Sequence, residues 1–319
     1  MASPNPTHET IWLSLLKGGA TRQYRDMFAS ALKEYLNNHV SSHHNESYSS
    51  LALGISRNIY DDGICVIDPV FSSDQISSIK SKLKNLKANF YNANGAQLIA
   101  YDYINDAYES DSRVHYAKYP SADLLEFPEI KSLVHNPLIC QIASSYLGCI
   151  PTLSSVTCWW SYPGRKTAGA QFFHQDRGDF ASLNLFVYLS DVDLENGPHV
   201  FCKKTHTFEL LSQFAQDNLD LITSQLFWSW WEKHRKSDNE VKTFFDPYII
   251  LGSNGTSFFE DTRGLHKGKA PTKEKRLVFE LVWTLIPQFN STLKPTAKYA
   301  KKKADATAQY INRMAYQYV

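Results

Sequence analysis

From residue 151 onward, apolar positions either alternate with polar ones or form short unbroken runs, whereas before it they recur mostly at helical spacing. Residues 152–162, 170–175, 183–189, 198–203, 243–251, 256–260 and 276–286 read as strands, with Asn196-Gly197 as a hairpin-type turn. A helical insert of about 207–240 interrupts them and carries the aromatic cluster Phe227-Trp-Ser-Trp-Trp-Glu232. In the first part, residues 21–36 predict a helix with Tyr24, Met27, Phe28, Leu32 and Leu36 on one face, followed by a polar loop from His39 to Ser50. A strand follows at 63–68, and the capping box Ser72-Ser-Asp-Gln75 opens a helix to about Phe90. Short helices are expected at 121–127, 128–134 and 137–147, the last closed by Gly148.

This order predicts a mainly β protein with flanking helices (α+β), built on a double-stranded β-helix, the cupin-like jelly roll. Three parts are expected. Residues 1–60 form a helical N-terminal extension packed on the core, 61–290 form the β domain with its insert, and 291–319 form a basic helical tail.

Composition narrows the class. With 319 residues and 43% hydrophobic content, the chain can bury one large core or two modest ones. A net charge of +1 argues against nucleic-acid binding. Five sparse cysteines without a CxxC pattern read as free thiols in a reducing compartment. The N-terminus lacks a secretory pattern and no apolar run is long enough for a membrane span, so a cytoplasmic protein is expected. The Ala- and Lys-rich tail could meet an anionic membrane surface, although its thin apolar face favours a solvated helix.

The candidate chemistry lies in His174-Gln175-Asp176, joined far downstream by His266 and Arg276. Two imidazoles and one carboxylate are the facial ligand set of non-haem Fe(II), which leaves three positions open. A His and an Asp two residues apart on a strand share one face, so His174 and Asp176 can grip one metal, with His266 as third ligand. Arg276 begins the apolar run Leu277-Val-Phe-Glu-Leu-Val-Trp283 and needs an anionic partner there, for which a dicarboxylate cosubstrate is suited. Taken singly, each of these residues is as well explained as a core histidine or a structural ion pair. The set together is not.

The stretches Phe172-Phe-His-Gln-Asp176, Leu183 to Pro198 and Gly264-Leu-His-Lys-Gly268, with Arg276, resemble the phytanoyl-CoA dioxygenase family of Fe(II)- and 2-oxoglutarate-dependent oxygenases. The resemblance begins near Asp62 and runs to about Ile286. It implies iron binding by His174, Asp176 and His266, and a hold by Arg276 on the far carboxylate of 2-oxoglutarate. Phe186 and Gln175 join the cosubstrate side, and molecular oxygen is a further substrate. Two departures stand out. Cys202-Lys-Lys-Thr-His206 replaces the family's usual Pro-Gly-Ser-His, and Gly268 stands where a small hydroxyl residue is common.

The expected reaction is hydroxylation of an unactivated C–H bond in a small molecule. Halogenation is disfavoured by the presence of Asp176. Cationic residues near the site, among them Arg177, Lys203 and Lys204, suggest an anionic substrate of metabolite, acyl or sugar-acid class, and Trp160 is expected to line its pocket. The Trp-rich insert could be a lid or a packed wall. The alternative function is a metal-binding cupin-type protein without oxygenase activity. A Zn hydrolase is disfavoured by the absence of a His-Glu-x-x-His spacing.

Overall fold

The computed structural model describes residues 22–40, 47–287 and 293–319. Its strands are β1 (Ile64–Ile67), β2 (Lys87–Tyr91), β3 (Gln97–Tyr103), β4 (Tyr116–Lys118), β5 (Thr152–Ser161), β6 (Ser182–Tyr188), β7 (His199–Phe201), β8 (Tyr248–Ile250), β9 (Ser257–Glu260), β10 (His266–Gly268), β11 (Arg276–Thr284), β12 (Ala297–Tyr299) and β13 (Tyr316–Tyr318). Eight of them form one antiparallel sheet in the order β1-β9-β6-β11-β5-β4-β2-β3, and β10-β7-β8 form a second.

Period-two alternation gives the large sheet two different faces. On β11, Leu277, Phe279, Leu281 and Trp283 join the main core, together with Val156 and Cys158 of β5 and Leu183, Leu185 and Val187 of β6. Helices Ser50–Asp62, Ser73–Leu83 and Pro137–Leu147 cover that side through Ile59, Ile76, Ile79, Ile139 and Ile142. The opposite face carries Phe186, Tyr188, Phe258 and Val278, which meet Phe201 and Ile250 of the small sheet. The expected jelly-roll core is thus present as two facing sheets of unequal size.

Several expected elements hold in detail. Ser72 and Gln75 make the capping box, Asn136 caps a helix that begins with Pro137, and Gly148 ends it in the left-handed conformation. Others differ. The helix after Ser72 stops at Leu83, and residues 87–91 are a strand whose Ala88 and Phe90 alternate inward. Residues 170–175 contribute only single bridges, and 243–251 shrinks to β8. Helix Arg22–His39 keeps only part of the predicted face inward: Leu36 is buried and Leu32 packs on the core, but Tyr24, Met27 and Phe28 are exposed, while Arg22, Arg25 and Ala29 are buried. The two arginines are tolerated because Arg22 donates to Arg263 O (3.0 Å) and Arg25 to Asp179 O (2.9 Å).

The tail is only partly helical. It adds β12, β13 and helix Ala306–Ile311, and it docks Ala297, Ile311 and Tyr316 on the main core. His135 stacks on Tyr299 at 3.7 Å and bonds Tyr318 Oη at 2.9 Å. No described helix is long and apolar enough to cross a membrane. The five cysteines are all free.

A buried ion-pair network ties the first helix to the sheet. Arg263 Nη2 sits 2.5 Å from Asp261 Oδ2, its Nη1 reaches Asp26 and Phe180 O, and Tyr146 Oη donates to Asp261 at 2.6 Å. Burial alone would raise the Asp261 pKa, but the neighbouring Arg263 overrides that effect and holds it well below the usual carboxylate range. Asp261→Ala should therefore destabilise by about 3–5 kcal/mol in chemical unfolding, since it strands a buried guanidinium. The folded pKa is depressed, so this stability is complete above the unfolded value near ~3.9 and is lost as pH falls through the folded one.

Candidate metal centre and its cavity

His174 and His266 lie opposite each other in an isolated antiparallel bridge. His174 N donates to His266 O at 2.8 Å and His266 N to His174 O at 2.9 Å. Asp176 N continues the pairing to Thr262 O at 2.8 Å. Each ring is locked the same way. His174 Nδ1 meets Phe172 O at 2.9 Å and His266 Nδ1 meets Gly264 O at 3.0 Å, the carbonyl two residues back in both cases. Nδ1 then carries the hydrogen, and both Nε2 lone pairs are free for a metal. Asp176 closes the group, with Oδ1 3.6 Å from His174 Nε2 and Oδ2 4.0 Å from His266 Nε2.

The donor atoms lie within 4.8 Å of one another, close enough for one ion. Burial and the adjacent His266 push the His174 pKa well below its usual range, which keeps that imidazole neutral and ligand-competent. The donor set fits Fe(II): two nitrogens and a carboxylate whose side chain is 46% exposed toward the cavity.

Arg276 stands at the start of β11 on the cavity face. Its Nη1 donates to Gly197 O, and its Nε is buried without a partner among the described residues. Gly268 makes room for it: a Cβ there would lie 3.0 Å from Arg276 Nη2. Beside it, His199 of β7 has Nε2 2.7 Å from Glu260 Oε2, a contact that is close but misaligned for a regular hydrogen bond. Burial pushes Glu260 up to about 8 and His199 down to about 3.

These groups share one cavity of about 980 Å³, within the usual range for small-molecule sites. His174, Asp176, His266, Arg276 and Phe186 all line it, and Phe186 stacks on Phe258 at 5.2 Å. Gln175 does not, for its Nε2 is turned into the protein. The expected substrate contacts are displaced as well. Trp160 lies on the core side of β5, its Nε1 on Tyr119 Oη and its ring under Lys275. Arg177 sits by Glu232 at 4.0 Å, Lys203 pairs with Asp62 at 2.8 Å, and Lys204 is exposed in a turn with φ of 61°. None of these four lines the cavity.

Trp159, Lys118, Glu280, His199 and Arg235 line it instead. A signal for the first was present in the sequence. Thr157, Trp159 and Ser161 share one parity in a strand whose other parity, Val156, Cys158 and Trp160, is wholly apolar. Glu280 is fixed by Asn184 Nδ2 (2.8 Å) and Thr157 Oγ1 (2.9 Å), and burial raises its pKa. The Trp-rich insert is a packed wall. Phe227, Trp230 and Trp231 pack with Val200, Cys202 and Leu265, behind the small sheet, while Arg235 to Ser237 at its end reach the cavity.

Two facing sheets with a two-histidine, one-carboxylate cluster at the cavity between them define a jelly-roll protein built around a mononuclear metal centre. The chain belongs to the phytanoyl-CoA dioxygenase (PhyH) family, whose model matches residues 59–241, more than half of its length. It is accordingly a non-haem iron- and 2-oxoglutarate-dependent oxygenase. The match includes His174 and Asp176 and ends before His266 and Arg276.

A search of curated proteins found no relative. Among solved structures, the non-haem α-ketoglutarate-dependent epimerase SnoN from nogalamycin biosynthesis is similar at 17% identity and a TM-score of 0.48, over 74% of this chain and 84% of that one. EvdO2 from Micromonospora carbonacea var. aurantiaca, complexed with 2-oxoglutarate, gives 12%, 0.47, 75% and 92%. Iron-bound EctD from S. alaskensis gives 16%, 0.44, 75% and 78%. These scores are too low to transfer a substrate or a reaction outcome.

Proposed function

We propose that this chain hydroxylates an unactivated C–H bond of a small, anionic molecule, with iron held by His174, Asp176 and His266 and 2-oxoglutarate clamped by Arg276. The observation that carries this reading is the convergence of the three donors and a buried, under-partnered arginine on one cavity. When bound, the iron and cosubstrate supply the oxidising chemistry: O2 and 2-oxoglutarate are consumed, succinate and CO2 are released, and one oxygen atom enters the C–H bond.

The chain's own residues bind, orient and exclude water. Phe172 O and Gly264 O fix the ring planes of the two histidines, so both nitrogens address one point. Arg276 offers a planar two-donor fork in a dry site, which suits a carboxylate better than a point charge would. Phe186 and Trp159 provide apolar walls that limit water around the cosubstrate and substrate. Hydroxylation is the outcome that needs no second reacting group on the protein.

The anionic reading now rests on Arg235 and Lys118. Arg235 lies near Asp176 at the cavity mouth, and Lys118 faces Glu280 with no ion pair formed between them. A metal-binding jelly roll without oxygenase activity would have no use for Arg276 in this position, where its burial costs free energy.

Replacing His174 or His266 by Ala should abolish iron-dependent succinate release while circular dichroism and thermal unfolding still report a folded protein. Full turnover by either variant would remove the ligand assignment. Arg276→Lys should raise the apparent KM for 2-oxoglutarate by roughly ten- to a hundredfold at saturating iron, in line with the loss of a charged two-point contact. For the substrate, Arg235→Ala should lower kcat/KM at low salt, and the deficit should fade toward molar salt, where the screening length is about 3 Å. Rates for parent and variant that stay equal at every ionic strength would count against an anionic substrate.

A further inference from the structure

Around the cavity, four buried polar atoms lack aligned partners among the described residues: His199 Nε2, both Glu260 carboxylate oxygens and Arg276 Nε. His199 is the centre of the group. It lies opposite Gly268 in the β7–β10 register, and Gly268 in turn lies against the Arg276 guanidinium. Its ring is stacked 5.6 Å from that of His266 and sits 4.9 Å from Phe186. Nε2 is turned inward to Glu260, and Nδ1 is the nitrogen left at the cavity surface.

Glu260 has no exposed surface, and a lone carboxylate at that depth is strongly unfavourable. With Nε2 facing Glu260 Oε2 at 2.7 Å, the ring is oriented so that Nδ1 is the nitrogen toward the cavity, where a bound carboxylate selects the tautomer that carries its hydrogen on Nδ1.

We propose that His199 Nδ1–H, with Glu260 as the positioning residue behind it, is a second donor beside Arg276 to the far carboxylate of 2-oxoglutarate. The inference rests on the assignment of Arg276 to that carboxylate. Gly268 explains why a donor is needed from this direction. A Cβ at 268 would lie 3.0 Å from Arg276 Nη2, so a hydroxyl residue there would require the guanidinium to give by a few tenths of an ångström. The imidazole on the facing strand supplies the missing hydrogen bond from across the register.

The test is an anaerobic titration of the Fe(II)-loaded protein, read by the visible charge-transfer band that Fe(II) makes with a chelated 2-oxo acid. 2-Oxoglutarate is compared with 2-oxopentanoate, which has the same chain and chelating end without the far carboxylate. His199→Leu should weaken 2-oxoglutarate by roughly ten- to a hundredfold and leave 2-oxopentanoate nearly unchanged. His199→Asn, which keeps a donor, should lie between the parent and the Leu variant. If His199→Leu does not fold, the Asn variant decides alone. A ratio of the two affinities equal to the parent's would overturn the proposal, as would equal weakening of both acids by either variant. No band with 2-oxoglutarate in the parent would instead sink the cosubstrate reading itself, and this inference with it.

Discussion

The pair of backbone hydrogen bonds between His174 and His266 is the constraint on which the site depends. The two residues belong to distant parts of the chain, and neither lies opposite the other in a longer regular ladder. One bridge, extended by Asp176 N to Thr262 O, sets their separation. Each ring is then aimed by the carbonyl two residues before it, so the geometry of the candidate ligand pair is set by the backbone. Side-chain packing elsewhere serves this bridge. Phe173 and Leu265, one position before each histidine, are buried together in the core behind the small sheet. The two ligands stay together because their neighbours are packed together.

Charge burial separates what holds the fold from what awaits a ligand. Arg263 and Arg276 are both buried, yet Arg263 is bonded by Asp261, Asp26 and Phe180 O, whereas among the described residues Arg276 bonds Gly197 O. Arg276 Nε is buried without a partner among the described residues, and such an unmet donor costs free energy. The first residue is a structural tie between helix and sheet. The second is better explained by a bound anion. The same test applied to Lys267 and Arg165 puts both on the structural side. Lys267 Nζ sits 2.5 Å from Asp238 Oδ1, and Arg165 donates to the carbonyls of Val114, Pro163, Glu109 and Asp111.

That distinction explains where the sequence was legible and where it was not. Local signals that depend on a few neighbouring residues held: the Ser72 capping box, the helix from Pro137 to Leu147 closed by Gly148, and the strand beginning at Arg276. The three residues of the expected triad come together in one cluster, as a chemistry that needs a particular set of residue types requires. Signals that depend on distant partners failed. Composition cannot show that Lys203 is spoken for by Asp62, or that Arg22 and Arg25 are buried because carbonyls meet their guanidinium heads. In residues 87–91 the neighbouring lysine run obscured a strand whose period of two is carried by Ala88 and Phe90. The tail's Ala and Lys content hid three tyrosines that close around His135.

β11 shows how one strand serves both core and site. Its Leu277, Phe279 and Leu281 pack toward the helices, Arg276 and Glu280 line the cavity, and Val278 between them packs against the small sheet. With the side-chain period fixed at two, Arg276 and Glu280 lie four residues apart on one face, roughly 13 Å along the strand. The metal donors hang from the facing small sheet and the bridge beside it. β11 thus gives the cavity a cation at one end and a carboxylate further along the same strand. Changes to Thr157, Trp159 or Glu280 can alter what the cavity accepts without touching the apolar face that folds the protein. A shift of register by one residue would exchange the two faces, exposing Leu277 and Phe279 and burying Arg276 in the helix-side core. The register that gives the chain a core therefore also gives it a site.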